Sequence, residues 1–206
     1  MTKKMKNKDA ETMANFFYEV GTLRKITRMH RQALLTDDLS DTIAAHSFRV
    51  TVIAWVLAKE ENVDPYKVVM MALMHDVAET RTNDHNWIHK RYVTTHEDEV
   101  TKDQLENLPH NLELKNFVSE YEARISKEAK IVKDADLMEQ ALLLREYELQ
   151  GNKEASIWLR GKDGKENKHH EMLTFESSKI LSKAIYKQSP SDWWSGLWTR
   201  VNRPKS

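Results

Sequence analysis

The chain has 206 residues and no cysteine, a length that can bury a core in one domain without cross-links. Disulfides, thiolate metal sites and cysteine nucleophiles are therefore excluded, and a reducing cytoplasm is the compartment that fits. Lys plus Arg balance Asp plus Glu at 32 each, so no global charge draws the protein to nucleic acid or an anionic membrane, and an anion must be held locally.

Along the chain, residues 1–10 are expected to be a flexible start, 11–188 the domain, and 189–206 a tail with Trp193, Trp194 and Trp198 packed on it. The basic N-terminus leads into no long apolar stretch, so no signal peptide is expected. Residues 13–28 predict a helix, with Phe16, Phe17, Val20, Leu23 and Ile26 near a 3–4 spacing. A polar connection, 36–41, supplies Ser40 or Asp41 as a cap. Ile43, His46, Val50, Ile53 and Leu57 then mark one face of a long helix. Its apolar run, Val50 to Ala58, is far short of the roughly 20 residues that span a bilayer. Asp64-Pro65 opens the next helix, expected over 66–79, with Val68, Met71, His75 and Ala78 on one face. Residues 80–89 read as a polar loop, and 91–107 as a charged helix ending before Pro109. A long helix follows over 126–150, stopped by Gly151-Asn152, then a solvated loop at 161–168 and a last amphipathic helix over 170–187. Five glycines, four prolines and no strand-like alternation complete an all-α expectation.

The chemistry lies in two histidines on otherwise apolar faces, His46 and His75. Alone, each reads as a satisfied core residue. His75, however, is followed directly by Asp76. Neighbours on a helix point about 100° apart, so the two converge only on an ion beside the helix, which needs further ligands from other helices. His46 and a later aspartate can supply them. Imidazole mixed with carboxylate suits Zn, Mn, Fe, Co or Ni better than Mg or Ca.

The order His46, His75-Asp76, Asp136 resembles the pattern that names the HD superfamily of phosphohydrolases. The stretch HDVAET (75–80) with Asp84 after it, Leu23-Arg24-x-Ile26-x-Arg28, and Lys133-Asp134-Ala135-Asp136 resemble its 5′-deoxynucleotidase branch. The likeness covers about residues 16–150. It implies an HD-domain helical bundle with one divalent transition metal on His46, His75, Asp76 and Asp136. It further implies hydrolysis of a nucleoside monophosphate by metal-activated water, and a homodimer. A deoxynucleoside triphosphate triphosphohydrolase, or a non-catalytic nucleotide-binding module that keeps the metal, are the alternatives.

By the same resemblance, Asp76 assists the attacking water. Glu79, four residues after His75 and three after Asp76, shares their helix face; it holds a water or gives a proton to the leaving ribose oxygen, unless it is an ordinary solvated glutamate. Asp84 orients Glu79, binds a sugar hydroxyl or caps a turn. Arg28 meets the substrate phosphate through its guanidinium fork, or else lies on the surface. In the resembling enzymes a tryptophan follows that arginine and helps select the sugar. Met29 stands there instead, leaving the choice between deoxyribose and ribose open. Ser47 and Arg49 face either the pocket or solvent. Asp136 is preferred to Asp134 as ligand because Ile125, Val132 and Leu143 share its helical sector, whereas Lys127, Lys130 and Arg145 surround Asp134. Asp134 is then expected to be a salt-bridge or outer partner of the site. His85, His89, His96 and His110 lack the contexts of the superfamily's two-metal sites, and His169-His170 is expected to be exposed.

Overall fold

The computed structural model describes residues 5–165 and 167–198, excepting the side chain of Trp198. Fourteen residues of α1 (Asn7–Val20) run into a 3-10 turn, Gly21–Lys25, and then into the short α2 (His30–Leu34). The first helix thus begins at Asn7, inside the stretch read as a flexible start, and tightens at Gly21 rather than continuing to residue 28. Next come α3 (Ile43–Glu60) and α4 (Pro65–Met74), capped by the side chains of Thr42 on Ala45 N–H and Asp64 on Tyr66 N–H. After them, α5 (Glu79–Thr82), α6 (Trp87–Lys90), α7 (Glu97–Leu105) and α8 (Asn111–Ala123) lead to the 23-residue α9 (Lys127–Leu149). Ser126 accepts from Ala129 N–H to start α9, and Gly151, at φ 89°, ends it in the left-handed region that favours glycine. The chain closes with α10 (Lys153–Arg160), α11 (Lys168–Met172), α12 (Glu176–Lys187), α13 (Asp192–Ser195) and a 3-10 turn. Among the described residues there is no strand, only the isolated bridge between Thr27 and Thr42.

The core explains where the site can form. Val50, Ala54 and Leu57 of α3, Val68 and Met71 of α4, and Ile131, Val132, Ala135 and Met138 of α9 make one apolar cluster. All nine are 1% exposed or less, so three helices meet at fixed rotation. Farther along α9, Leu144 and Tyr147 pack with Leu34, Ala155 and Leu159. A third cluster joins Leu23, Ile43, Met74, Val77 and Leu105. No described helix is long and apolar enough to cross a membrane.

Three expected boundaries move, each for a local reason. The helix expected over 66–79 stops at Met74, and residues 75–81 continue as i to i+3 turns. The His75 ring takes the carbonyl of Ala72 (2.7 Å), which a continuing helix would offer to Asp76 N–H. The charged helix starts at Glu97, not near 91, because Val93-Thr94-Thr95 is a β-branched run that disfavours helix. The helix expected over 170–187 is split, since Thr174 and Phe175 give their N–H groups to the buried Asp134 carboxylate (2.9 and 3.1 Å). In the tail, Trp193 and Trp194 meet edge to face at 4.7 Å. Trp193 is 75% exposed while walling a groove with Leu181 and Ile185. The expectation for Trp198 packing lies outside the described residues.

Candidate metal centre and active site

His46 is 1% exposed and projects from the second turn of α3 toward the turn after α4. Its Nε2 lies 3.3 Å from His75 Nε2, 3.4 Å from Asp76 Oδ2 and 3.4 Å from Asp136 Oδ1. His75 Nε2 is 3.0 Å from Asp76 Oδ2. His46, His75 and Asp136 thus present two nitrogens and an oxygen at metal-type spacing, and Asp76 Oδ2 lies against both rings. The break at His75 makes this possible, because it lets Asp76 turn toward the ring beside it.

The outer acceptors favour one tautomer of each ring, and at His46 they do so against the Arg28 guanidinium on the same nitrogen. His46 Nδ1–H donates to Glu139 Oε2 (2.6 Å) and His75 Nδ1–H to the Ala72 carbonyl (2.7 Å). Both Nε2 lone pairs are left facing the cluster. His46, His75 and Asp136 by themselves form a group with metal-type spacing. Two carboxylates against two imidazole nitrogens at 3.0–3.4 Å call for a cation among them, a ring proton or a metal ion, and a set of nitrogen and oxygen donors fits a divalent transition metal. Burial works against charge on all three titrating partners, yet their mutual attraction outweighs it. His75 is raised by Asp76, Asp76 falls to about 2 beside His75, and Asp136 is held far below the usual carboxylate range by Lys133, His46 and His75.

A polar cavity of about 160 Å³ opens beside the cluster, walled by Arg28, Asp76, Glu79, Asp84, His85, Lys90, Lys133 and Asp136 among others. Lys133 Nζ holds Asp136 Oδ2 at 2.7 Å. Arg28 is buried; its Nη1 donates to Glu139 Oε2 (2.8 Å) and packs against His46 Nδ1, and its Nη2 donates to His30 Nε2 (2.9 Å). A guanidinium has five N–H donors, so more remain for a ligand. Backbone bonds from Arg28 N–H to Asp41 and from Ile43 N–H to Ile26 lash this segment to the start of α3.

Glu79 has a buried oxygen, Oε2, with no hydrogen-bond partner among the described residues. Burial, then Asp76 and Asp84, push its carboxyl up to about 10, so it carries a proton at neutral pH. Asp84 accepts from Met29 N–H (2.5 Å), while Asn86 Nδ2 donates to the Met29 carbonyl (2.9 Å). Met29 is clamped through both backbone groups, and its side chain faces a neighbouring groove that shares Asp84 and His85 with the cavity.

The HD-domain family model matches residues 20–176. A 5′-deoxynucleotidase HDDC2 of Bos taurus is 32% identical over 72% of this chain and 74% of its own, and that of Homo sapiens 33% over 68% and 70%. The chain belongs to the HD-domain family. Solved structures share the fold: a conserved hypothetical protein of Pyrococcus furiosus superposes at TM-score 0.69, 23% identical, over 85% of this chain and 99% of its own. A predicted metal-dependent phosphohydrolase of Magnetospirillum magnetotacticum superposes at 0.64, 24% identical, over 87% and 91%. This HD-domain protein is thus an all-α, metal-dependent phosphohydrolase.

The structure brings His46, Asp76, Asp136, Arg28, Glu79 and Asp84 to one cavity, with His75 behind it against Asp76 and His46. Arg28 is buried there, not a surface side chain. Several readings change. Asp134 is 0% exposed and caps α12, neither pairing with a cation in the described ion pairs nor touching the site. The apolar-sector argument for Asp136 therefore names a residue the cluster contains, for an insufficient reason: Asp134 is the more deeply buried carboxylate. His169 is 2% exposed, not on the surface, and links Gln140 Oε1 to the Tyr186 hydroxyl (3.1 and 2.9 Å). Sequence reasoning missed Glu139, Gln140, Asn86, Lys90 and the buried His30, which burial and Arg28 hold neutral. Only Glu139 left a local signal, its position three residues beyond Asp136 on one helix.

Proposed function

We propose that the chain hydrolyses the 5′-phosphate of (deoxy)nucleoside monophosphates, releasing inorganic phosphate. The observation that carries this reading is the cluster of His46, His75, Asp76 and Asp136 beside one small cavity lined by Arg28, Lys90, Lys133 and the buried Glu79, whose Oε2 has no partner among the described residues. Three cations suit a phosphate dianion. At about 160 Å³ the cavity is well below the roughly 300–1,000 Å³ that encloses a whole ligand, so it takes one phosphoryl group. The adjoining groove of about 350 Å³, with Thr27, Met29 and His89, suits the nucleoside. A triphosphate would need further cations beyond that rim, which disfavours the triphosphohydrolase alternative.

His46, His75, Asp76 and Asp136 would hold a divalent ion, which would supply Lewis acidity toward a phosphoryl oxygen and lower the pKa of a water. Asp76, with Oδ2 in the cluster, keeps Oδ1 to accept the proton of the attacking water. Arg28, Lys90 and Lys133 hold the equatorial oxygens. Glu79 donates its proton to the departing ribose oxygen. Asp84 acts through Met29, setting the backbone that carries Arg28 and the groove wall. The chain's work is cytoplasmic, in keeping with its lack of cysteine.

The protein is further read as a homodimer. Phe48, Val52, Trp55 and Val56 are 71, 50, 51 and 39% exposed along one stripe of α3, the kind of apolar surface a soluble protein covers. The decisive experiment is phosphate release from deoxy- and ribonucleoside mono- and triphosphates after stripping metal and restoring Mn, Co, Zn or Mg. Metal-dependent phosphate from monophosphates is the expected result. Turnover of triphosphates alone, or ligand and metal binding with no turnover, would replace it with one of the alternatives.

A further inference from the structure

Resting on the metal reading above, we propose that Glu139 is a positioning residue of the centre. Its carboxylate fixes the His46 ring in the tautomer and rotation that aim Nε2 at the metal.

The geometry is specific. Glu139 lies three residues beyond Asp136 on α9, so one helix face delivers a ligand and the holder of another ligand. Its Oε2 is 2.6 Å from His46 Nδ1. An ionised carboxylate only accepts hydrogen bonds, so Glu139 favours the proton on Nδ1 and the lone pair on Nε2, against Arg28 Nη1, a donor that contacts the same Nδ1 and favours the other tautomer. That nitrogen is the one 3.3–3.4 Å from His75, Asp76 and Asp136.

Glu139 is 1% exposed, and a charge so buried needs partners. Arg49 gives Nε and Nη2 to Oε1 (3.0 and 2.7 Å), and Arg28 gives Nη1 to Oε2 (2.8 Å). Arg49 stands three residues after His46 on α3, and its far end is held by Glu146 of α9 at 2.5 Å. Ring, holder and clamp are therefore laced between the same two helices. His75 is oriented differently: its Nδ1–H meets the backbone carbonyl of Ala72, which no substitution removes. Of the two histidines, only His46 has its Nδ1 bonded to a carboxylate side chain.

The test compares wild type, Glu139→Gln and Arg49→Met. Two readings are taken: the dissociation constant for Co(II), followed by its visible absorption, and the imidazole ¹⁵N shifts of His46 without metal. Glu139→Gln is isosteric and is expected to weaken Co(II) ten- to a hundredfold, the usual effect of losing an outer carboxylate. His46 should pass from a single Nδ1–H form to a tautomer mixture. Arg49→Met alters a partly exposed side chain and leaves Arg28 on Glu139; it serves as the second variant should the glutamine variant not fold, and is expected to shift both readings less, in the same direction. Unchanged affinity and tautomer in a folded variant, with wild type binding Co(II), would overturn the role of Glu139 alone. A wild type that binds no divalent ion would overturn the metal reading beneath it.

Discussion

Glu79 is the residue whose chemistry departs furthest from its ordinary state. Its carboxyl is raised from 4.5 to about 10, chiefly by burial, so the folded protein holds a proton that the unfolded chain releases above 4.5. Its contribution to stability is thus intact below pH 4.5 and lost as pH climbs toward 10. Glu79→Gln is expected to flatten that decline in melting scans of metal-free protein. In the loaded enzyme it should cut kcat by about 10²–10⁴-fold, the range of a lost general acid, with KM and metal content kept. Met29 belongs to this scale too. A thioether on a clamped backbone adapts to either sugar, whereas an indole is rigid. Met29→Trp is expected to raise the deoxy-to-ribo ratio of kcat/KM by about 10–100-fold, the reach of an apolar wall against an added hydroxyl; an unchanged ratio would separate position 29 from sugar choice. The His75-Asp76 pair was legible because its two members are adjacent in sequence and carry a distinctive context. Glu139 and Asn86 were not, since each is an unremarkable polar residue until a partner 93 or 57 positions away reaches it.

At the scale of elements, α9 does two jobs from opposite faces. Asp136, Glu139 and Gln140 look toward the site, while Asp134 looks away and accepts the N–H groups of Thr174 and Phe175, just ahead of α12. Asp134→Ala leaves those two donors without their acceptor, at a cost of about 1–3 kcal/mol. The denaturant midpoint should fall accordingly while metal affinity stays put; loss of metal would show that the two faces are not separable. The same helix shows what periodicity can reveal. Its span, the face of α3 and the start of α4 all follow from 3–4 spacing with a capping Ser, Thr or Asp. Periodicity failed where a side chain took a backbone group for itself, as His75 takes Ala72 and Asp134 takes Thr174. Such bonds are tertiary or conformational facts, invisible to a hydrophobic pattern.

For the whole molecule, the α3 stripe turns the question of assembly into one of surface chemistry. Trp55→Asp places a charge in the middle of Phe48, Val52 and Val56, and sedimentation should then show monomers where wild type sediments as dimers. Activity per chain is expected to survive, because every side chain of the cluster comes from one chain. All-α architecture was open to composition alone, few turn residues among many helix formers, whereas the pairing of helices was not. That pairing depends on which buried side chains of α3, α4 and α9 interlock.

The proposed ligands come from α3, from the turn after α4 and from α9, so an ion held by them would also be a staple across the three helices that make the main core. Ligation to the native state alone adds about 2.7 kcal/mol when the free ion stands at a hundred times its dissociation constant. For a chain of this size that raises the melting temperature by about 5–10 °C. A chelator should therefore act on this protein as a mild denaturant. In a cell starved of its ion, the chain would lose abundance to proteolysis as well as losing activity, so that metal supply sets how much of the enzyme exists.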